Sequence, residues 1–193
     1  MMNAEFASGT TVIRRLWPSD QDQIKEHFRQ LDAKTRRLRF GGAVSESFVE
    51  QYAGKLIELG TILYGAFPDG RLRALGELRG LLDDWPASAE AAFSVQQPWQ
   101  DKGLGAALMD RVVAAAQNRG VKSLHMMCLR ENEKMQHLAL KHDAILDFNR
   151  FEVEATLDRP WPTPFSVAEE LANDAQGFVQ AVLRWPGGVG QGA

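Results

Sequence analysis

Apolar and polar positions alternate from Ser88 to Val95, and the spacing then becomes helical from Leu104 onward. Alternation predicts a strand with two different faces, the apolar one formed by Ala89, Ala91, Phe93 and Val95. Pro98 lacks the amide that a strand ladder needs, so pairing should end just before it. A helical stripe follows, made of Leu104, Leu108, Val112 and Ala115. Gly120 is a suitable C-terminal stop, so this stretch predicts strand, turn and helix.

The rest of the first 158 residues repeats this alternation of short strands and helices. Pro68-Asp69-Gly70 is a strong turn signal and predicts a hairpin of 59–67 with 71–80. Ser45 is a predicted N-cap. The other predicted strands are 11–17, 121–129 and one or two within 147–156, and the other predicted helices follow Pro18, Thr35 and Asn132. Such alternation implies a mixed α/β fold, with helices packed on a central sheet.

The last 35 residues differ in composition from the rest. Residues 159–164 are rich in proline and predict a stiff connector. Residues 166–185 then carry an apolar stripe at helical spacing, formed by Val167, Leu171, Ala175, Phe178 and Val182. We expect one domain over 1–158, followed by an appended amphipathic helix and a loose tail over 159–193. The helix would dock either on its own domain or on a second copy of the chain, forming a homodimer.

Two glycines stand at the start of the central helix, within Gln100-Asp101-Lys102-Gly103-Leu104-Gly105. Glycine lets a ligand approach the backbone, and the first amides of a helix have no helical partner. Together with the helix dipole, these amides favour phosphate or pyrophosphate. The alternative is that Gly103 and Gly105 only permit a tight turn. The pattern lacks the third glycine of a Rossmann fingerprint and the Gly-Lys-Ser/Thr of a Walker loop.

The spacing Gln100-x-x-Gly103-x-Gly105 after a strand, with Leu108 further on, resembles the acyl-CoA-binding motif of the GNAT superfamily of N-acetyltransferases. A second block, Asn132-x-x-Met135-x-x-Leu138-Ala139-x-Lys141, is similar to the second motif of that family. It departs from the family at its end, where Asp143 and Ala144 replace the usual Gly-Phe pair. The two blocks cover about 88–148, and weaker similarity reaches Thr11. The form of 31–42 is similar to GNAT domains of protein lysine acetyltransferases.

The resemblance implies a mostly antiparallel sheet flanked by helices and acetyl-CoA as the co-substrate. It implies that the 100–105 turn holds the pyrophosphate and that the strand before it pairs with the pantetheine arm. The implied cofactor-binding residues are Phe93, Ser94, Val95, Gln100, Asp101, Lys102, Gly103, Leu104, Gly105, Ala106 and Asn132. Asn132 could instead simply cap its helix.

Acetyl transfer to an amine needs a group that removes a proton, because a lysine amine is almost fully protonated at neutral pH. Glu90, where the resembling branch carries a glutamate, and Glu77 on the neighbouring strand are the candidate bases. Either could instead be a solvated edge charge or an ion-pair partner. The tyrosine that many GNAT enzymes use to protonate the thiolate is replaced by Ala139, although a thiolate is a tolerable leaving group. An amide near Val95 would hold the oxyanion.

Composition narrows the remaining choices. The net charge of −3 gives no case for nucleic acid or an anionic membrane as partner, and no apolar run reaches membrane-span length. No signal peptide is evident, and Cys128 is the only cysteine, which fits a cytoplasmic location. His125 and Cys128 should face opposite sides of a strand, so we expect no metal site. The basic run of Arg36, Arg37 and Arg39 is either a solvated face or a contact for the 3′-phosphate of the coenzyme or an acidic acceptor.

The sequence therefore favours an enzyme that transfers an acetyl group from acetyl-CoA to a primary amine, on a protein lysine or a small molecule, by direct attack. One alternative is an acyl-CoA-binding sensor without turnover, which the absent tyrosine suggests. Another is a structural protein in which the glycine motif is only a turn. The acceptor amine cannot be identified from the sequence.

Overall fold

A computed structural model describes residues 11–57, 61–80, 86–158, 167–168, 170–172 and 174–175. The predicted proline-rich connector and the predicted tail lie outside the described residues, as do residues 1–10 and 81–85.

The fold is built on one sheet of seven strands. In chain order they are β1 (Val12–Arg15), β2 (Ile62–Phe67), β3 (Ala74–Gly80), β4 (Ser88–Val95), β5 (Ser123–Leu129), β6 (Ile145–Phe148) and β7 (Glu152–Asp158). The spatial order is β1-β2-β3-β4-β5-β7-β6. Every neighbouring pair is antiparallel except β4 and β5, which run parallel because a helix connects them. The predicted mixed, mostly antiparallel α/β fold is confirmed.

The helices of residues 11–158, as far as the structure describes that range, cover the sheet unequally. They are α1 (Gln21–Arg29), α2 (Ala33–Phe40), α3 (Glu46–Lys55), α4 (Leu104–Asn118) and α5 (Glu133–Leu140). On one face a core joins α1 and α3 to β2 and β3, through residues such as Phe28, Leu63 and Leu75. On the other face α4 packs its Leu108 and Val112 on the strands from β2 to β7. Among the described helices, α1 and α3 therefore cover the first face over β2 and β3, and α2 reaches β4 and β5, whereas the second face is covered from β2 to β7.

Most predicted elements are present, with shifted ends. The helix caps at Asp32, Ser45 and Asn132 accept a backbone amide, as their residue types favour. The first strand is shorter than the predicted 11–17, because the chain turns into a short 3-10 helix at Pro18. The segment predicted over 147–156 divides into β6 and β7, which pair through a turn that Arg150 and Phe151 occupy.

The described part of the C-terminal segment is helical, and carboxylates form its contacts with the domain. Those contacts are Glu170 with Tyr64 (3.3 Å), Asn118 (2.7 Å) and Arg119 (2.7 Å), and Asp174 with Arg15 (2.8 Å). Leu171, in the predicted apolar stripe, is 65% exposed. The described part of the segment therefore contacts its own domain through polar side chains, while Leu171 of the stripe stays exposed.

No helix within the described ranges is long and apolar enough to cross a membrane.

Candidate active site

The site lies where two parallel strands separate. β4 and β5 pair only from Ser88 to Glu90, opposite Ser123 to His125. Beyond that point β4 continues to Val95, while β5 stays paired with β7. The separation leaves strand edges without a ladder partner and opens two cavities beside β4.

The first cavity has a volume of about 260 Å³ and lies between the end of β4 and the starts of α4 and α5. Of the residues that the resemblance implies for cofactor binding, all but one line it: Phe93, Ser94, Val95, Gln100, Asp101, Gly103, Leu104, Gly105, Ala106 and Asn132. Lys102 lies outside this wall, with its ammonium 4.8 Å from the ring centroid of Trp99. The fold thus brings the two sequence motifs together, but their roles in binding stay a prediction.

The backbone at the start of α4 has the form that the glycine motif suggests. Gly103 has a φ of +80° and Asp101 a φ of +60°, so the chain enters the helix through left-handed conformations. The bond from the Ala107 amide to the Gly103 carbonyl (3.0 Å) is the first of the helix. The amides of Leu104, Gly105 and Ala106 precede it and have no acceptor within the helix. These donors, at the positive end of the helix dipole, suit an anionic group in the cavity.

Two polar side chains fix the frame of this cavity rather than projecting freely into it. Gln100 donates to the Val95 carbonyl (3.1 Å) and to Thr35 Oγ1 (3.2 Å), which ties the turn to β4 and α2. Asn132 Oδ1 accepts from the Met135 amide (3.3 Å), so it caps α5 while also lining the cavity. The capping interpretation of Asn132 is thus confirmed.

The second cavity has a volume of about 240 Å³ and lies on the side of β4 where α2 reaches β5. Glu90 and Glu152 are in its wall, and the carboxylate of Glu90 makes no hydrogen bond or ion pair with any residue that the structure describes. The two cavities share wall residues: Leu38, Arg39, Phe93, Asn132 and Met135. Groups bound in the two cavities would therefore be separated only by these shared side chains.

Glu77, the other candidate base, has a different environment. Its side chain is 1% exposed, and it accepts from Arg39 Nη2 (2.5 Å) and from the Tyr52 hydroxyl (2.6 Å). Burial lowers the pKa of Arg39, but the negative charge of Glu77 has the larger opposite effect, so the pKa of Arg39 is raised overall. Burial, and then the charge of Glu77, raise the pKa of Tyr52. Glu77 is not among the wall residues of either cavity, so its geometry is that of an ion-pair partner.

Arg39 corrects the interpretation of the basic run as one solvated face. Arg37 is exposed and pairs with Glu131, but Arg39 is buried against Glu77 and lines both cavities. The sequence alone could not show that Arg39 differs from Arg36 and Arg37, because its partner Glu77 is 38 residues away in the chain.

A buried histidine beside the site was also missed. His27 Nε2 lies 2.8 Å from Ser94 Oγ, and Gln96 Nε2 lies 3.4 Å from His27 Nδ1. Desolvation lowers the pKa of His27 to about 3, so the ring is neutral at ordinary pH. Ser94 is 3% exposed, so this contact anchors the end of β4 inside the core. The only sequence signal was the position of His27 in the apolar stripe of its helix.

The remaining candidate metal ligands are dispersed. His125 pairs with Glu154 (2.9 Å) on the open side of β5, whereas Cys128 is buried, and burial raises its pKa. Among the described residues there is no group of three or more His, Cys, Asp or Glu side chains that could hold a metal ion.

The model of the acetyltransferase (GNAT) family matches residues 22–144, which is more than half of the chain. The chain belongs to the GNAT acetyltransferase family. The matched range contains both motifs and the strand that separates the two cavities.

Solved structures show the same fold at low sequence identity. The GNAT domain of S. lividans PAT has a TM-score of 0.66 at 22% identity, covering 78% of this chain and 92% of that chain. YncA from Salmonella typhimurium, solved with acetyl-CoA, has a TM-score of 0.57 at 15% identity, with 81% and 99% covered. PaiA from Thermoplasma acidophilum, solved with coenzyme A, has a TM-score of 0.61 at 16% identity, with 78% and 100% covered. A comparison with curated proteins found no match.

Proposed function

We propose that this GNAT protein is an N-acetyltransferase that transfers the acetyl group of acetyl-CoA to a primary amine. The observation that carries the proposal is the pair of cavities with a common wall, one against the helix start and one containing Glu90. Coenzyme A in the solved PaiA structure and acetyl-CoA in that of YncA support the choice of donor.

The first cavity is the proposed acetyl-CoA site. The amides of Leu104, Gly105 and Ala106 would donate to the pyrophosphate. The residue at the N-cap position, Gly103, provides no side-chain cap that would occupy them. The edge of β4 from Phe93 to Val95 is released from β5 and would pair with the pantetheine arm. Its last amides would then hold the developing oxyanion at the thioester carbonyl.

The second cavity is the proposed amine site, and Glu90 is the proposed base. A carboxylate without a partner among the described residues can accept the amine proton directly or through one water. The neutral amine would then attack the thioester carbonyl across the common wall, and the thiolate would leave. The pKa of the coenzyme A thiol is low enough for the thiolate to leave without a proton from a tyrosine at position 139.

The first test is calorimetric titration with acetyl-CoA of the wild type and of Gly105→Glu. A side chain at position 105 meets only ordinary contacts in the protein, with Leu138 at 3.8 Å, but it enters the first cavity. The added carboxylate should repel the pyrophosphate and weaken binding by at least about tenfold. Position 103 is less suitable, because its φ of +80° would strain any side chain and confuse folding with binding.

Gly54→Glu is the matched control, because it adds the same side chain to helix α3, where nothing lies within 4 Å. It should bind acetyl-CoA like the wild type. Absence of acetyl-CoA binding in the wild type would refute the proposal.

The absence of a tyrosine at position 139 keeps a second function open, that of an acyl-CoA sensor. Ala139 is fully buried in α5 and has no acidic group. Acetyl-CoA binding without transfer to any member of a broad panel of amines and lysine peptides would favour the sensor.

A further inference from the structure

Within the part of the chain that the structure describes, no helix packs on one half of a sheet face, beside the proposed amine site. The helices α1 and α3 pack on the first face over β2 and β3, and their core contains no residue of β5, β6 or β7. Among the described helices only α2 approaches β5 on this side, at the amine cavity. Met127 and Ile145 point outward here and are 60% and 71% exposed, although both are apolar.

The strand register determines which side chains share this open face. Glu90 is opposite His125, His125 is opposite Thr156, and Thr156 is opposite Ile145. Since side chains alternate along a strand, every second residue from these positions points the same way. The open face therefore consists of Ser88 and Glu90 on β4, Ser123, His125, Met127 and Leu129 on β5, Ile145 and Asp147 on β6, and Glu152, Glu154, Thr156 and Asp158 on β7.

The charge of the open face is one-sided. It carries five carboxylates, whereas its only basic side chain is His125, which already pairs with Glu154. Two arginines border the face: Arg79 on β3 lies directly opposite Glu90, and Arg39 lines the same cavity as Glu90, but both pair with the carboxylate of Glu77. Arg130 and Arg150 stand in the turns beyond the strands, over the rings of Phe148 and Phe151. The chain as a whole has a net charge of only −3, so this face holds a local excess of negative charge.

The open face and the amine cavity are continuous. Glu90, Met127 and Glu152 belong to both. Asp147 lies beside Glu154 on the outer strand pair, and Glu154 lies beside Met127. A chain segment on this face would thus cross exposed carboxylates and an exposed methionine before reaching Glu90.

Resting on the proposed function, we propose that the acceptor is a lysine in a positively charged protein segment that docks along this open face. Arginine and lysine side chains flanking the target would pair with Asp147, Glu152 and Asp158, and their aliphatic stems would cover Met127 and Ile145. A small amine would fill the cavity alone and would leave the outer strands without a role. The size of the face, which extends over the four neighbouring strands β4, β5, β7 and β6, favours the protein segment.

The test compares acetylation of two synthetic peptides with one central lysine, one flanked by arginines and the other by glutamates. We expect kcat/KM for the arginine peptide to be at least about tenfold higher at low salt, and the ratio to fall at about 0.5 M NaCl. Asp147→Lys should reduce kcat/KM for the arginine peptide about fivefold and leave acetyl-CoA affinity unchanged, since Asp147 lies on the outermost strand.

Asp22→Lys is the matched control, because it makes the same charge reversal at an exposed position on α1, outside the open face. It should leave the preference between the peptides intact. A short linear polyamine is the third acceptor. If its kcat/KM equals that of the arginine peptide, or if Asp147→Lys changes nothing, the proposal is wrong.

Peptide binding is also measured directly, by fluorescence anisotropy of the labelled peptides with and without acetyl-CoA. Binding of acetyl-CoA with no preference for the arginine peptide would refute the docking surface and leave the proposed function standing. Failure of acetyl-CoA to bind would refute the proposed function, while peptide binding would still decide the docking surface.

Discussion

His27 and Ser94 form a contact that resembles a base and a nucleophile, but their surroundings assign them another role. Both side chains are almost fully buried, and the pKa of His27 is lowered to about 3 by desolvation. A ring that resists protonation is a weak base, and a serine held in the core is not free to attack a thioester. The pair instead fixes the end of β4, which lines the first cavity.

Protonation of His27 predicts a pH-dependent stability. The unfolded state takes up the proton on His27 near pH 6.5, whereas the folded state does so only near pH 3. His27 therefore costs no stability above pH 6.5, and the free energy of unfolding decreases as the pH is lowered from 6.5 to 3. The contribution of His27 to this slope is at most about 1.4 kcal/mol per pH unit. Urea unfolding at several pH values should show a shallower slope for His27→Gln than for the wild type.

The exposed histidine His137, changed to glutamine, serves as the control and should keep the wild-type slope. Equal slopes for His27→Gln and the wild type would mean that His27 is not kept neutral by burial.

Residues differ in how far the sequence revealed their role. Gly103, Gly105 and Asn132 were predicted because their function depends on neighbours a few residues away, and the structure places them in one cavity wall. Arg39 and His27 were not resolved, because their partners are 38 and 67 residues away in the chain. Contacts of that separation depend on strand order, which hydrophobic periodicity does not contain.

At the scale of elements, the position of α2 is set by one buried ion pair. Arg39 on α2 reaches Glu77 on β3, and the same arginine lines both cavities. Arg39 and Tyr52 both bind the carboxylate, and Arg79 lies 3.5 Å from it, so Glu77 neutralises a cluster of donors between α2, α3 and the sheet. Removal of the carboxylate would leave the guanidinium of Arg39 buried without its counter-ion.

The surroundings of Glu77 and Glu90 assign them different roles, which the sequence alone left open. Glu77→Gln should lower the free energy of unfolding by about 3 kcal/mol, because Arg39 loses its partner. Glu90→Gln should change it by less than about 0.5 kcal/mol and lower kcat roughly 100-fold for any amine that the wild type acetylates. Urea unfolding and steady-state kinetics of both variants are the measurements. A catalytic loss in Glu77→Gln at unchanged stability, with normal turnover by Glu90→Gln, would reverse the assignment.

Whether a segment is a helix or a strand was easier to predict than what its faces contact. Alternation and helical spacing gave the central strand and α4 with their buried faces, because each of these contacts a core on one side. In the C-terminal segment the described residues are helical, but the contact with the domain comes from Glu170, whereas Leu171 of the predicted stripe is exposed. An amphipathic pattern shows that two faces differ, but it does not show which face a neighbouring set of cations will attract.

At the scale of the whole molecule, the separation of β4 from β5 places the proposed acetyl-CoA site and the proposed amine site on two sides of one strand. The cavity at the start of α4 and the cavity beside the open face lie on either side of one set of shared residues. Each partner can then enter without crossing the place of the other. A covalent acetyl-enzyme is unnecessary, because both reactants can be present together.

The proposed direct transfer within a ternary complex has a kinetic signature. Initial rates at varied acetyl-CoA and acceptor should give intersecting double-reciprocal lines, since neither product must leave before the second substrate binds. Incubation with acetyl-CoA alone should leave the mass of the protein unchanged, and Ser94→Ala should behave in the same way, because Ser94 is held in the core by His27. Parallel lines, together with an added acetyl group that Ser94→Ala no longer takes up, would contradict both conclusions. In that case the buried His27–Ser94 pair would have to open during turnover, and the cavity wall at the end of β4 would be its point of entry.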